Sequence, residues 1–137
     1  MAKGCFCMQP EVQEWLAFAK MDMDTARHLY DTFYPKPLPI ICYHCQQAAE
    51  KSIKAVIVFC GADHGVPRVH DLEFLLQQIK NMVEIPDELW DYADALTPYG
   101  IEIRYPGGME PTEEETHLGL KYAESLYSWA EAILRKC

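Results

Sequence analysis

Apolar residues recur every three or four positions along most of this chain, which is the period of an α-helix rather than that of a β-strand. Proline and glycine interrupt the pattern and divide it into helical segments. The predicted helices cover about residues 11–34, 39–60, 72–82, 86–96 and 113–134. No segment alternates for long as a strand does. The pattern therefore predicts an all-α fold, an antiparallel up-and-down bundle of about five helices.

Capping residues support two of these boundaries. Asp71 precedes the third apolar segment and is a good N-cap, because its carboxylate can accept hydrogen bonds from the first free backbone N–H groups. Thr112 to Glu115 has the capping-box pattern, and the glutamates suit the positive end of the helix dipole. Both positions predict that a helix starts immediately afterwards.

Length and composition indicate one domain. With 137 residues the chain can bury a single core. We expect residues 1–9 to form a flexible N-terminal segment and residues 10–137 to form the domain. No apolar run approaches the ~18 residues that a membrane span needs, and the N-terminus lacks the apolar stretch of a secretory signal. We therefore expect a cytoplasmic protein without a membrane partner.

The net charge of -9 opposes non-specific binding to nucleic acid, which depends on basic residues that displace counterions from phosphates. An anionic ligand would have to be met by a local group of cations. We therefore exclude bulk nucleic-acid binding but keep a small anion site as a hypothesis.

The six cysteines contain one Cys-x-x-Cys motif, Cys42 to Cys45, inside a predicted helix. A zinc site would need a second pair, and only Cys5 and Cys7 offer one. Free thiols are usual in a cytoplasmic chain of this size, so core cysteines are the favoured interpretation. The sequence indicates no metal and no cofactor.

Asp22 breaks the apolar side of the first predicted helix, where it shares a face with Trp15 and Ala26. An unpaired carboxylate there would be costly, so we expect it to have a partner. The second helix carries several polar residues along one flank of its apolar stripe: Tyr43, His44, Gln47, Lys51 and Lys54. Glu50 is placed for an i,i+4 pair with Lys54. Two interpretations stay open, a solvated flank with a structural Asp–Lys pair or a charged site.

Arg104 lies in a loop rich in glycine and proline, before the predicted start of the last helix. Backbone N–H groups and a guanidinium can bind an anion at such a place, although Arg104 could equally pair with Glu102 or Asp22. His117 groups with the polar side of the last helix, and His70 precedes the Asp71 cap as a structural hydrogen-bonding residue would.

Several of these residues together resemble a known family. Trp15, Ala19 and Asp22 begin the pattern, and the segment from Cys45 to Ala55, with Gln46-Gln47-Ala48-Ala49-Glu50-Lys51, is its most specific part. His70-Asp71-Leu72 and Arg104-Tyr105-Pro106 follow in the right order. Over about Glu11 to Leu134 the chain resembles the HEPN family, the higher eukaryotes and prokaryotes nucleotide-binding domain.

The resemblance implies a helical bundle that often forms a homodimer. Many bacterial and archaeal members are encoded beside a minimal nucleotidyltransferase, as toxin–antitoxin or similar two-component systems. Active members are metal-independent ribonucleases, in which an Arg is followed after four to six residues by a His near the start of the last helix. In this chain the histidine that follows Arg104 is His117, with twelve residues between them, and Tyr105 stands directly after the Arg.

The sequence therefore predicts a non-catalytic HEPN-type module that binds a nucleotide, a nucleotidyltransferase partner, or both. The candidate anion-binding residues are Lys51, Lys54, Arg104 and Tyr105. The candidate supporting polar residues are Asp22, Gln47, Glu50 and His70. The alternative is a metal-independent endoribonuclease toxin in which Arg104 acts with His117 or His70, because metal-free RNA cleavage needs an acid–base group and a cation near the scissile phosphate.

Overall fold

The structure, a computed structural model, describes residues 9–61, 65–100, 106–107 and 110–136. The predictions made for residues 1–8, including Cys5 and Cys7, lie outside this range. The described chain contains five α-helices and a 3-10 turn at Thr97–Gly100. The helices are α1 (Pro10–Thr32), α2 (Leu38–Phe59), α3 (Leu72–Gln77), α4 (Asp87–Leu96) and α5 (Glu113–Leu134). The predicted all-α bundle is confirmed.

The predicted caps form as expected. The Asp71 side chain accepts a hydrogen bond from the Phe74 backbone N–H at 3.2 Å. At the start of α5, the Glu115 N–H donates to Thr112 Oγ1 at 3.0 Å, and the Thr112 N–H donates to Glu115 Oε1 at 2.9 Å. This reciprocal pair satisfies two backbone donors that the first turn of a helix leaves free.

Two helices are shorter than the sequence predicts. The α-helical part of α3 ends at Gln77, and tighter i→i−3 bonds then keep Ile79 buried. α1 ends at Thr32, so Phe33 has extended backbone dihedrals and is 56% exposed instead of continuing the apolar stripe. Pro35 lies close by, and helices usually end at or before the residue that precedes a proline, which is Tyr34 here.

The second helix lies at the centre of the bundle and contacts each of the other four helices. Thirteen of its 22 residues are buried, so even its polar flank is drawn towards the interior. Cys42 and Cys45 are among them; the Cys42 Sγ lies 3.3 Å from Thr116 Oγ1. Burial raises the pKa of the Cys42 thiol to about 11 and also raises the pKa of Cys45, so both are neutral core thiols.

Within the described residues, no helix combines the length and the apolar character that crossing a bilayer requires.

Candidate functional site

Asp22 on α1 lies against α2, where two side chains bind its carboxylate. His44 Nδ1 donates to Asp22 Oδ1 at 2.8 Å, and Lys51 Nζ donates to Oδ2 at 2.5 Å. His44 and Lys51 are seven residues apart, which places them on the same side of α2 two turns apart. Asp22 therefore has the partner that the sequence led us to expect, which is Lys51. His44 is a second partner of the same carboxylate. We refer to Asp22, His44 and Lys51 as the Asp22 cluster.

Glu50 directly precedes Lys51 on α2 and is buried. Its carboxylate accepts hydrogen bonds from a second set of donors. Lys54 Nζ donates to its Oε2 at 2.8 Å, while His70 Nδ1 and Gln46 Nε2 donate to Oε1 at 2.9 Å and 3.0 Å. Gln46 also donates to the His70 carbonyl at 3.1 Å, and Gln47 donates to Gln46 Oε1 at 2.8 Å. We refer to Gln46, Gln47, Glu50, Lys54 and His70 as the Glu50 cluster.

The two lysines that the sequence places together therefore bind different carboxylates. The Lys54 side chain is only 8% exposed and lies over the Trp15 ring at 5.7 Å, whereas the Lys51 side chain is 25% exposed. A ligand can reach Lys51 at the surface, but it would have to open the Glu50 cluster to reach Lys54. Arg104 and Tyr105 lie outside the described residues.

The two candidate histidines have different surroundings. His117 is exposed on α5, as the helical wheel predicts, and its ring lies 5.9 Å from the Tyr30 ring. The His70 side chain is half exposed, and its Nδ1 binds the buried Glu50. This contact fits the structural role that the sequence suggests for His70.

Gln46 was not predicted as a site residue, yet it is fully buried and connects α2 to the chain at His70. Its apolar neighbours Cys42, Ala49 and Ile53 stand at i−4, i+3 and i+7, and this spacing was a signal that the position faces the core. Gly100 completes the packing, because a Cβ added there would stand 2.7 Å from Gln46 Cδ. The absence of a side chain at Gly100 lets the 3-10 turn close onto Gln46.

Both buried carboxylates are held in the ionised form. Burial opposes ionisation and would raise the pKa of Asp22, but hydrogen bonds from His44 and Lys51 outweigh it, and the pKa lies below the ordinary 3.8. Burial acts in the same way on Glu50. There, hydrogen bonds from Lys54, His70 and Gln46 lower the pKa below the ordinary 4.5.

Acid is therefore expected to destabilise the fold through these two groups. A carboxylate whose pKa is lowered by folding stabilises the native state at pH values above its unfolded pKa, and this contribution is lost as pH falls through the folded value. We expect the free energy of unfolding, measured in urea, to fall as pH is lowered from 5 towards 2. Asp22→Asn should flatten this profile, whereas Asp24→Asn on the exposed side of α1 should leave it steep; equal profiles in the two variants would contradict the assignment.

A cavity of about 280 Å³ adjoins the Asp22 cluster on the surface of α1, and Glu11, Glu14, Trp15 and Phe18 line it. The Phe18 ring centroid lies 5.9 Å from Lys51 Nζ, so the cluster and the cavity meet at this ring. A larger cavity of about 490 Å³ lies at the far ends of α2 and α5, between Phe59, Trp129 and Ile133. None of the residues that the sequence singled out as site candidates lines that cavity. The described residues contain no group of three or more side chains arranged to hold a metal ion.

Comparison with known proteins agrees with this architecture. The model of the HEPN domain family matches residues 12–133. The crystal structure of TT1696 from Thermus thermophilus superimposes with a TM-score of 0.75 at 26% identity, covering 90% of this chain and 98% of that chain. The structure of ST0689, an archaeal HEPN homologue, has a TM-score of 0.68 at 22% identity, covering 90% of this chain and 97% of that chain, and shows a shared fold. A search of curated proteins gives no match.

Proposed function

The chain belongs to the HEPN domain family, and we propose that it is a non-catalytic module that binds a nucleotide through the Asp22 cluster. The observation that carries this proposal is that one carboxylate holds two donor side chains at a partly open surface. Lys51 and His44 both bind Asp22, with their side chains 25% and 24% exposed. A lysine ammonium has three N–H donors, and an imidazole that donates from Nδ1 also donates from Nε2 when the ring is protonated.

A phosphate group matches these donors. Asp22 fixes the positions of Lys51 and His44, so little side-chain freedom is lost when an anion binds. A mononucleotide brings few charges, whereas a long polyanion would meet the repulsion of the whole chain, whose net charge is -9. The electrostatics therefore favour a small phosphate-bearing ligand over a nucleic acid.

The absence of ribonuclease activity is part of the proposal. The twelve-residue separation between Arg104 and His117 departs from the family motif, and His117 lies exposed beside Tyr30. Fixed acid–base geometry near the phosphate is what metal-free cleavage requires. The endoribonuclease alternative, in which Arg104 acts with a histidine, stays a prediction.

A homodimer and a nucleotidyltransferase partner in a two-component system also belong to the proposal, and family membership supports them. The exposed side chains of Phe33 and Tyr34, directly after α1, offer apolar surface for such contacts.

Calorimetric titration with ATP, GTP and UTP tests the nucleotide site. We expect Lys51→Ala to weaken binding about tenfold, as the loss of a hydrogen bond to a charged group worth about 1.4 kcal/mol predicts. Lys51→Arg should retain most of the affinity. The matched control is Lys20→Ala, which removes an exposed lysine that pairs with Asp24 four residues along α1, and it should bind as the wild type does.

Circular dichroism of each variant separates lost binding from lost folding. The proposal is wrong if no triphosphate binds the folded wild-type chain, or if Lys51→Ala binds as tightly as Lys20→Ala.

A further inference from the structure

One face of α1 carries a continuous series of acidic and aromatic side chains. Glu11, Glu14, Trp15 and Phe18 line the cavity of about 280 Å³, and Asp22 follows one turn after Phe18. These positions share a face of a helix because each lies three or four residues from another member of the series. The cavity and the Asp22 cluster are thus the two ends of one surface.

The far end of this surface is acidic. Glu11 and Glu14 are exposed, and within the described part of the chain neither carboxylate has an ion-pair partner. An ionised carboxylate is an acceptor only, with two oxygens side by side. This end is therefore complementary to a ligand group that offers two adjacent N–H donors.

The middle of the surface is aromatic. Trp15 is half-buried and Phe18 is 47% exposed, and both line the cavity. Lys51 Nζ lies 5.9 Å from the Phe18 ring centroid, so Phe18 stands between the cavity and the Asp22 cluster. Aromatic side chains stack on nucleobases of any sequence, since every base has a π-face.

The order of these groups matches a nucleotide. The structure assigns to this surface a guanine nucleotide whose base stacks on Trp15 and Phe18 and donates from its Watson–Crick edge to Glu11 or Glu14. Its phosphate lies at Lys51 and His44, so this assignment rests on the nucleotide-binding function proposed above. Guanine presents N1–H and the N2 amino group side by side, whereas adenine presents only its amino group beside an acceptor nitrogen that a carboxylate repels.

The dimensions agree with this placement. Glu14 and Asp22 are eight residues apart on one helix, which corresponds to roughly 12 Å along the axis, a length comparable with that of a mononucleotide from base edge to phosphate. The same separation keeps the phosphate away from the two glutamates, so the acidic end selects the base while the cationic end holds the phosphate.

Calorimetric titration of the full chain with GMP, IMP and AMP tests the assignment. IMP lacks the N2 amino group and otherwise retains the guanine edge. We expect GMP to bind about tenfold more tightly than IMP, the effect of one hydrogen bond to a charged group, and to bind more tightly than AMP. In the Glu11→Gln/Glu14→Gln variant the ratio of the GMP affinity to the IMP affinity should fall towards one. The Glu88→Gln variant, changed on α4, should keep the wild-type ratio.

Deleting two negative charges strengthens the binding of all anions alike. The ratio of the GMP affinity to the IMP affinity is not changed by this general effect. Phe18→Ala should weaken the binding of GMP and of IMP by a similar factor and leave the ratio of the two affinities unchanged. Equal affinities for GMP and IMP in the wild type, or an unchanged ratio in the double variant, would overturn the guanine assignment. Binding of both ligands that still depends on Lys51 would then leave the proposed nucleotide function standing. No binding by any nucleotide would remove both proposals.

Discussion

Glu50→Ala is expected to lower the free energy of unfolding by about 3–5 kcal/mol, the usual cost of breaking a buried ion pair by removing one partner. The physical reason is that the Lys54 side chain, only 8% exposed, would keep its charge in the interior without a carboxylate. His70 and Gln46 would lose an acceptor at the same time. Urea denaturation at pH 7 measures the change.

The chain contains a matched control, because Lys20 and Asp24 form an i,i+4 pair with side chains 61% and 67% exposed. Asp24→Ala should cost less than about 1 kcal/mol, as exposed pairs do. The Glu50→Leu/Lys54→Met double variant removes both charges and should recover most of the stability lost in Glu50→Ala. Similar losses in Glu50→Ala and Asp24→Ala would show that Lys54 is not buried on Glu50.

Gly100→Ala is expected to cost about 1–3 kcal/mol, which is typical of adding a methyl group to a well-packed interior. The new Cβ would stand 2.7 Å from Gln46 Cδ, and Gln46 cannot easily move because it binds Glu50, Gln47 and the His70 carbonyl. Thermal and urea denaturation measure this loss.

Gly119 provides the opposite case. It lies inside α5, and a Cβ there would meet its closest neighbour, Leu96 Cδ2, at an ordinary 3.7 Å. Gly119→Ala should therefore stabilise the chain by roughly 0.5–1 kcal/mol through helix propensity. If Gly100→Ala were as well tolerated as Gly119→Ala, the close packing of the 3-10 turn on Gln46 would be wrong.

The helical period and the caps were enough to predict the bundle, because each helix buries one side and its ends need specific hydrogen-bonding residues. The same reasoning indicated that Asp22 needs a partner and that Glu50 can pair with Lys54. It could not show that Lys54 is buried while Lys51 stays partly open. That difference depends on what covers the flank of α2, namely Trp15 of α1 over Lys54 and the chain at His70 over Glu50.

His70 illustrates the limit of local patterns. It stands 20 residues beyond Glu50 and 24 beyond Gln46, in a segment without helical period, so no spacing rule connects them. Gln46 could have been recognised from its apolar neighbours, whereas its contact with Gly100 depends on how the 3-10 turn returns to α2. Tertiary contacts between segments distant in sequence, rather than local helix propensity, determine this part of the site.

The placement of the phosphate at the Asp22 cluster is tested most directly by nuclear magnetic resonance of the histidine side chains during a titration with GTP. The His44→Gln and His70→Gln variants assign the resonances of the two rings, whose Nδ1 atoms bind Asp22 and Glu50 respectively. We expect GTP to shift the His44 resonances with the affinity measured by calorimetry, and to leave those of His70 and His28 unchanged. Unchanged His44 resonances in a chain that binds GTP would contradict the placement of the phosphate at this cluster.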